Sequence, residues 1–222
     1  MPEAGTLLAI GGHEDLTGAR GILRAVARLL RGRPLALVTS ASTHPHAYVD
    51  RYTTAFADLA VTVLPLDLDG DPASLLAQCG GVFLTGGKQE RLMRRLHESG
   101  VDELIRGLHG SGGVVAGTSA GASVLTDRMI LSDAKNLRLG PGLALATGAI
   151  IDQHFSQRDR ADRLRDALAL EPGHIGIGID EDTAVQWTDE TLTVLGTGTV
   201  TVMNGSERVL LPGQTFELGQ IQ

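Results

Sequence analysis

Residues 114–125, VVAGTSAGASVL, set one hydroxyl residue among small ones, between an apolar run and a stretch of helical character. Gly117-Thr118-Ser119-Ala120-Gly121 matches G-x-S-x-G. In that pattern small flanking residues permit a sharp strand-to-helix turn that presents the serine hydroxyl above a sheet. A helix N-terminus behind the serine would favour developing negative charge. The same residues also suit a plain turn without chemistry, so the motif needs partners.

A serine nucleophile needs a base and a group that orients the base. His154, in Asp152-Gln153-His154-Phe155, follows an apolar run at 149–151 and is expected just past a strand end. His174, ahead of another apolar run, is its main rival. His13 follows a glycine turn, His44 and His46 flank Pro45, and His97 and His109 lie in polar helical surroundings. The orienting acid is one of Asp152, Asp180, Glu181 and Asp182. The last three fall together between two apolar runs, a costly placement if buried unless the acids are paired. The glycine exit LTGG (84–87) suits a backbone oxyanion donor, with the Ala120 N–H as the second, or simply a tight turn. Arg158, Arg160 and Arg163 open an amphipathic stretch. They fit either a solvated face paired to Asp159 and Asp162 or a clamp for a substrate carboxylate.

These groups must be positioned by regular elements. TLLAIGG (6–12) and GGVFLTGG (80–87) read as buried strands, and PLALVTSAS (34–42), VTVLPL (61–66) and GGVVAG (112–117) as further strands. Helical periodicity covers 18–32, 46–60, 71–79 and 88–100, with 101–110 following before the fifth strand. Alternation of this kind implies right-handed crossovers and a mainly parallel sheet flanked by helices, an α/β fold. Ligands in such folds bind beyond the carboxyl ends of the strands, where IGGHED, LTGGKQ and AGTSAG should all open. After the amphipathic helix at 158–170, HIGIGID, TAVQWT, TLTVLG, TVTVMNG and QTFEL predict short, largely antiparallel strands that extend the sheet. With no repeat, low-complexity tract or linker, residues 1–222 read as one domain.

The composition fits this reading. The chain is 42% hydrophobic and 20% charged with a net charge of −7, and its arginines are scattered among acids, which disfavours nucleic acid as a partner. Aromatics make up only 3%, so Leu, Val, Ile and Ala must build the core. A single cysteine, Cys79, excludes an intramolecular disulfide and a thiolate metal cluster from one chain. No secretory signal or long apolar span is expected, which makes a cytoplasmic protein the default and a membrane partner unexpected.

In their order along the chain, IGGHED, LTGGKQ, AGTSAGASVL, DQHFSQRDRADRL and GIGIDEDTA resemble the cyanophycinase and dipeptidase E family of serine peptidases. The resemblance runs from about Leu7 to the final strands. It implies a fold similar to the class I glutamine amidotransferase domain, with serine in place of cysteine at the elbow. It further implies Ser119 as nucleophile, His154 as base, Glu181 as orienting acid, and Gly87 and Ala120 as the oxyanion hole. Gln89, Asp152, Gln153, Arg158, Arg160 and Arg163 match the pocket that in cyanophycinases receives a β-linked aspartyl-arginine unit. The dipeptidase E branch, a Ser-His-Asp type, lacks the DQHF arrangement followed by three spaced arginines. This chain departs from the cyanophycinase pattern at Lys88, where an acid is usual, and in its compact C-terminal region. The resemblance implies no cofactor and no metal, a small peptide as substrate, and a homodimer. Other readings are a small-peptide exopeptidase or dipeptidase of different specificity, another acyl hydrolase, and an idle amidotransferase-like binding domain.

Overall fold

The computed structural model describes residues 5–131 and 137–218. Its first half alternates strands and helices: β1 (Leu7–Ile10), α1 (Gly21–Leu29), β2 (Leu35–Val38), α2 (Pro45–Ala57), β3 (Val63–Pro65), α3 (Pro72–Gln78), β4 (Gly81–Leu84), α4 (Gln89–Glu98), α5 (Val101–Gly110) and β5 (Val114–Thr118). A short helix, α6 (Ala120–Ser123), follows β5 directly. Next come β6 (Arg128–Ile130), β7 (Leu139–Pro141), β8 (Ala149–Gln153), α7 (Ala161–Leu170), β9 (Ile175–Ile179), β10 (Thr183–Thr188), β11 (Thr191–Gly196), β12 (Val200–Asn204), β13 (Ser206–Leu210) and β14 (Thr215–Glu217).

The main sheet has eight strands in the order β14-β11-β10-β1-β5-β4-β2-β3. From β1 to β3 every pairing is parallel, while β10, β11 and β14 add an antiparallel edge beside β1. Side chains alternate across a strand, so the fully apolar β1 must be covered on both faces. Leu8 and Ile10 face a core formed with Ile22, Leu23 and Val26 of α1 and Tyr52 and Phe56 of α2. Leu7 and Ala9 face the opposite core, which takes in Leu92 and Leu96 of α4 and Val101 and Ile105 of α5.

The late strands divide differently from the sequence expectation. Only β10, β11 and β14 extend the main sheet, whereas β9, β12 and β13 join β8 in a second, four-stranded sheet ordered β13-β12-β9-β8. Within it β8 and β9 run parallel. The reason is that β9 is apolar on one face and bare on the other. Ile175, Ile177 and Ile179 enter the large core. Gly176 and Gly178 leave room on the far face for Leu164 of α7 and the ring of Phe155. A strand needing cover on both faces cannot serve as a solvated edge. The helix expected over 158–170 is also shorter. A 3₁₀ turn at Ser156–Arg158 ends at Asp159, whose φ of 49° breaks the helical path, and α7 starts only at Ala161. No helix among the described residues is long and apolar enough to cross a membrane.

Candidate active site

The carboxyl ends of β1, β4 and β5 meet the ends of β8 and β9, so the site lies at the seam of the two sheets. Ser119 follows β5 with φ 52° and ψ −111°, a conformation that costs a non-glycine residue about 1–3 kcal/mol. Its N–H donates to the Ile10 carbonyl of β1 at 2.9 Å, which pins the turn to the neighbouring strand. Gly117 is required here: a Cβ would fall 2.1 Å from the Gly121 carbonyl oxygen. The helix behind the serine is a single turn, because the Val124 and Leu125 carbonyls accept from Leu143, Leu145 and Ala146 instead of continuing it. The dipole expected from a long helix is correspondingly small.

Ser119 Oγ stands 2.9 Å from Nε2 of His154. His154 itself has φ 49°, and its N–H donates to the Gly11 carbonyl at 2.9 Å. The next residue, Phe155, seats its ring where a Gly178 side chain would be, 2.5 Å from the position of the absent Cβ. The imidazole-bearing turn is thus held by a backbone bond on one side and a buried ring on the other. Its Nδ1 lies 2.7 Å from Glu181 Oε1. The acid sits in the turn between β9 and β10, where its N–H donates to Gln157 Oε1 at 3.0 Å.

The competing partners are engaged elsewhere. Asp180 accepts from the Ser156 N–H and from the Thr199 N–H and hydroxyl. Asp182 accepts from the Asp15 N–H and the Thr197 hydroxyl. His174 pairs with Asp127 at 3.0 Å. Among the described residues, Glu181 is the one acid that reaches the His154 imidazole.

Burial lowers the pKa of His154; its hydrogen bond to Glu181 opposes that shift, while Arg158 and His13 add to it. Burial pushes the Glu181 carboxyl upward, but the bond from His154 and the nearby His13 more than offset this and hold it below its ordinary value. A neutral imidazole facing an ionised carboxylate is the resting state a general base requires.

The Gly86–Gly87 peptide closes the other side of the serine. A Cβ on Gly86 would lie 3.4 Å from Ser119 Cβ. Among the described residues, neither the Gly87 nor the Ala120 N–H donates to a backbone carbonyl. An oxyanion donor must be uncommitted in this way.

The pocket residues suggested by resemblance separate into two groups. Arg158 lines a cleft of about 280 Å³ next to Ser119, together with His13, Glu14, Tyr48, Arg51, Tyr52, Gly86 and Gly87. Asp152, Gln153, Arg160 and Arg163 instead engage one another. Asp152, 1% exposed, accepts from Arg160 Nη1 at 3.0 Å and from Arg163 Nε at 2.8 Å. Arg160 also donates to the Gln153 carbonyl and side-chain oxygens, and Gln153 Nε2 donates to Ser123 Oγ at 3.2 Å. Gln89 Nε2 donates to the Ile130 carbonyl at 2.6 Å. Lys88 precedes α4 with its side chain exposed.

Sequence reasoning missed Glu14, Tyr48, Arg51 and Tyr52. Glu14 is 5% exposed and accepts from the Tyr52 hydroxyl and, at 2.7 Å, from the Thr118 hydroxyl. Burial and the neighbouring Glu14 carboxylate raise the Tyr52 pKa, so the phenol remains a donor. The acid in IGGHED was a visible signal, yet α2 gives no motif that marks Tyr52 as its partner.

Comparison with known proteins agrees with this architecture. The model of peptidase family S51 matches residues 7–195. A cyanophycinase of Synechococcus elongatus is 36% identical over 219 residues, covering 90% of this chain and 68% of that protein. One from Trichormus variabilis is 38% identical over 224 residues, covering 90% and 74%. A peptidase from an acI-B1 Actinobacterium has the same fold, with a TM-score of 0.75 at 21% identity over 97% of both chains. The chain belongs to peptidase family S51.

Proposed function

We propose that this serine-type peptidase cleaves short Asp-containing or β-aspartyl-arginine peptides through Ser119, His154 and Glu181. The observation that carries the reading is the continuous hydrogen-bonded chain Ser119 Oγ–His154 Nε2 and His154 Nδ1–Glu181 Oε1, at 2.9 and 2.7 Å. In the proposed reaction His154 takes the serine proton as Oγ attacks the scissile carbonyl. The Gly87 and Ala120 N–H groups receive the oxyanion, and the imidazolium protonates the leaving amine. Water, deprotonated by the same imidazole, then releases the acyl group.

The cleft supports a small, doubly charged substrate. Its lining combines the Glu14 carboxylate with Arg51 and Arg158, and its volume of about 280 Å³ suits a dipeptide-sized ligand. Arg158 lines the cleft and would meet a substrate carboxylate, while Asp152, Gln153, Arg160 and Arg163 bond to one another beside it in sequence. An idle binding domain has no need for a strained serine aligned on a histidine and an acid.

The test is a panel of Asp-X, Asp-Arg and β-aspartyl peptides on the wild type and Ser119→Ala. Ser119→Ala should lose about 10³-fold or more in kcat. Retention of full activity by that variant overturns the mechanism, and turnover of simple esters alone overturns the substrate assignment.

A further inference from the structure

The triad acid is shared. Glu181 gives Oε1 to His154 and turns Oε2 toward His13, whose Nδ1 lies 3.1 Å away. The two imidazoles meet edge to face, with ring centroids 5.2 Å apart at 82°. One ligand atom from each of His13, His154 and Glu181 falls within 4.8 Å of the others. The three residues come from separate turns after β1, β8 and β9. The His13 side chain is 70% exposed, so the cluster opens to solvent.

We propose that His13, His154 and Glu181 form an inhibitory binding site for a zinc-type divalent cation. Two imidazoles and one carboxylate, with a fourth position left for water, are the donor set of open zinc sites. Ligand bonds of about 2.0–2.2 Å place tetrahedral donors roughly 3.3 Å apart, close to the existing His13–Glu181 separation. The consequence for catalysis follows from proton placement. A cation on Nδ1 of His154 displaces the proton from that nitrogen. The one proton of the neutral ring must then move to Nε2, which faces Ser119 as a donor and can no longer accept. Magnesium prefers oxygen ligands in octahedral geometry and does not fit.

Cation binding stands by itself, whereas the inhibition rests on Ser119 and His154 being nucleophile and base. The experiment therefore has two arms on the full chain. Zinc chloride is titrated calorimetrically into metal-free wild type, Ser119→Ala and His13→Asn. In parallel, the rate of Ser119 labelling by a small fluorophosphonate is measured with and without zinc. Asn at position 13 tolerates the left-handed backbone there, φ 50°, and retains a donor toward Glu181 but offers no imidazole. Zinc should bind wild type and Ser119→Ala alike. It should slow wild-type labelling at least about tenfold, reversibly on adding a chelator, and His13→Asn should weaken binding and inhibition by about tenfold or more. Equal zinc affinity in wild type and His13→Asn overturns the site, as does equal inhibition by magnesium. Zinc binding that leaves labelling unslowed overturns the inhibitory role. A wild type that binds zinc but is never labelled overturns the inhibitory role together with the nucleophile assignment, while leaving the cation site in place.

Discussion

A Cβ on Gly12 would stand 2.3 Å from Cε1 of His154. The loop after β1 is the wall against which the imidazole rests, and it has room for a hydrogen only. Gly12 also has φ 100°, and its carbonyl accepts from the Asp182 N–H at 2.9 Å. Gly12→Ala should therefore push the ring off Ser119. The expected result is a folded protein whose fluorophosphonate labelling falls by about 10²-fold, since displacements near 1 Å at a reacting group cost that much. Circular dichroism checks the fold in the same samples.

Replacing Glu181 by Gln tests the acid directly. The amide cannot stabilise an imidazolium and permits the wrong tautomer of His154. A loss of about 10²–10⁴-fold in kcat with little change in KM is expected. Steady-state kinetics on the best peptide of the panel measures it.

The pH profile carries a sign. His154 must be neutral to act as a base, and burial lowers its pKa from the ordinary value of 6.5. The acid limb of kcat/KM should have its midpoint below that value, so activity persists into mildly acidic solution. Arg158 contributes to the lowering. Arg158→Gln should consequently move the limb toward higher pH, and a limb that moves the other way contradicts the assignment of His154 as the titrating base.

Asp152 anchors two arginines from a site that is almost wholly buried. Asp152→Ala leaves both guanidinium groups without their shared carboxylate. Removing one partner of such a buried cluster destabilises by about 3–5 kcal/mol. Urea unfolding followed by far-UV circular dichroism should show the midpoint fall with the slope unchanged.

The parallel half of the sheet was legible because its strands are short apolar runs, and β1, β4 and β5 lead into glycine-rich turns. Periodicity alone could not show which sheet a late strand joins. HIGIGID reads like any short buried strand, and only packing reveals that its glycines seat Phe155 and Leu164. The acids of IDED were likewise indistinguishable by residue chemistry. Asp180 and Asp182 are turned to loop N–H and hydroxyl groups, leaving Glu181 toward the imidazole, a choice made by tertiary geometry. The arginines at 158, 160 and 163 looked like one set. The kink at Asp159 separates Arg158, on the cleft, from Arg160 and Arg163, on Asp152.

Ser119 belongs to the main sheet, His154 hangs from the end of the second, and Glu181 lies on the link between them. The site therefore exists only where the two sheets are docked. A chain emerging from the ribosome carries Ser119 well before His154 and Glu181, so on the proposed mechanism hydrolysis must wait until the second sheet has docked. On that mechanism, reaction with a serine-directed probe would serve as a clock for the docking of the two sheets.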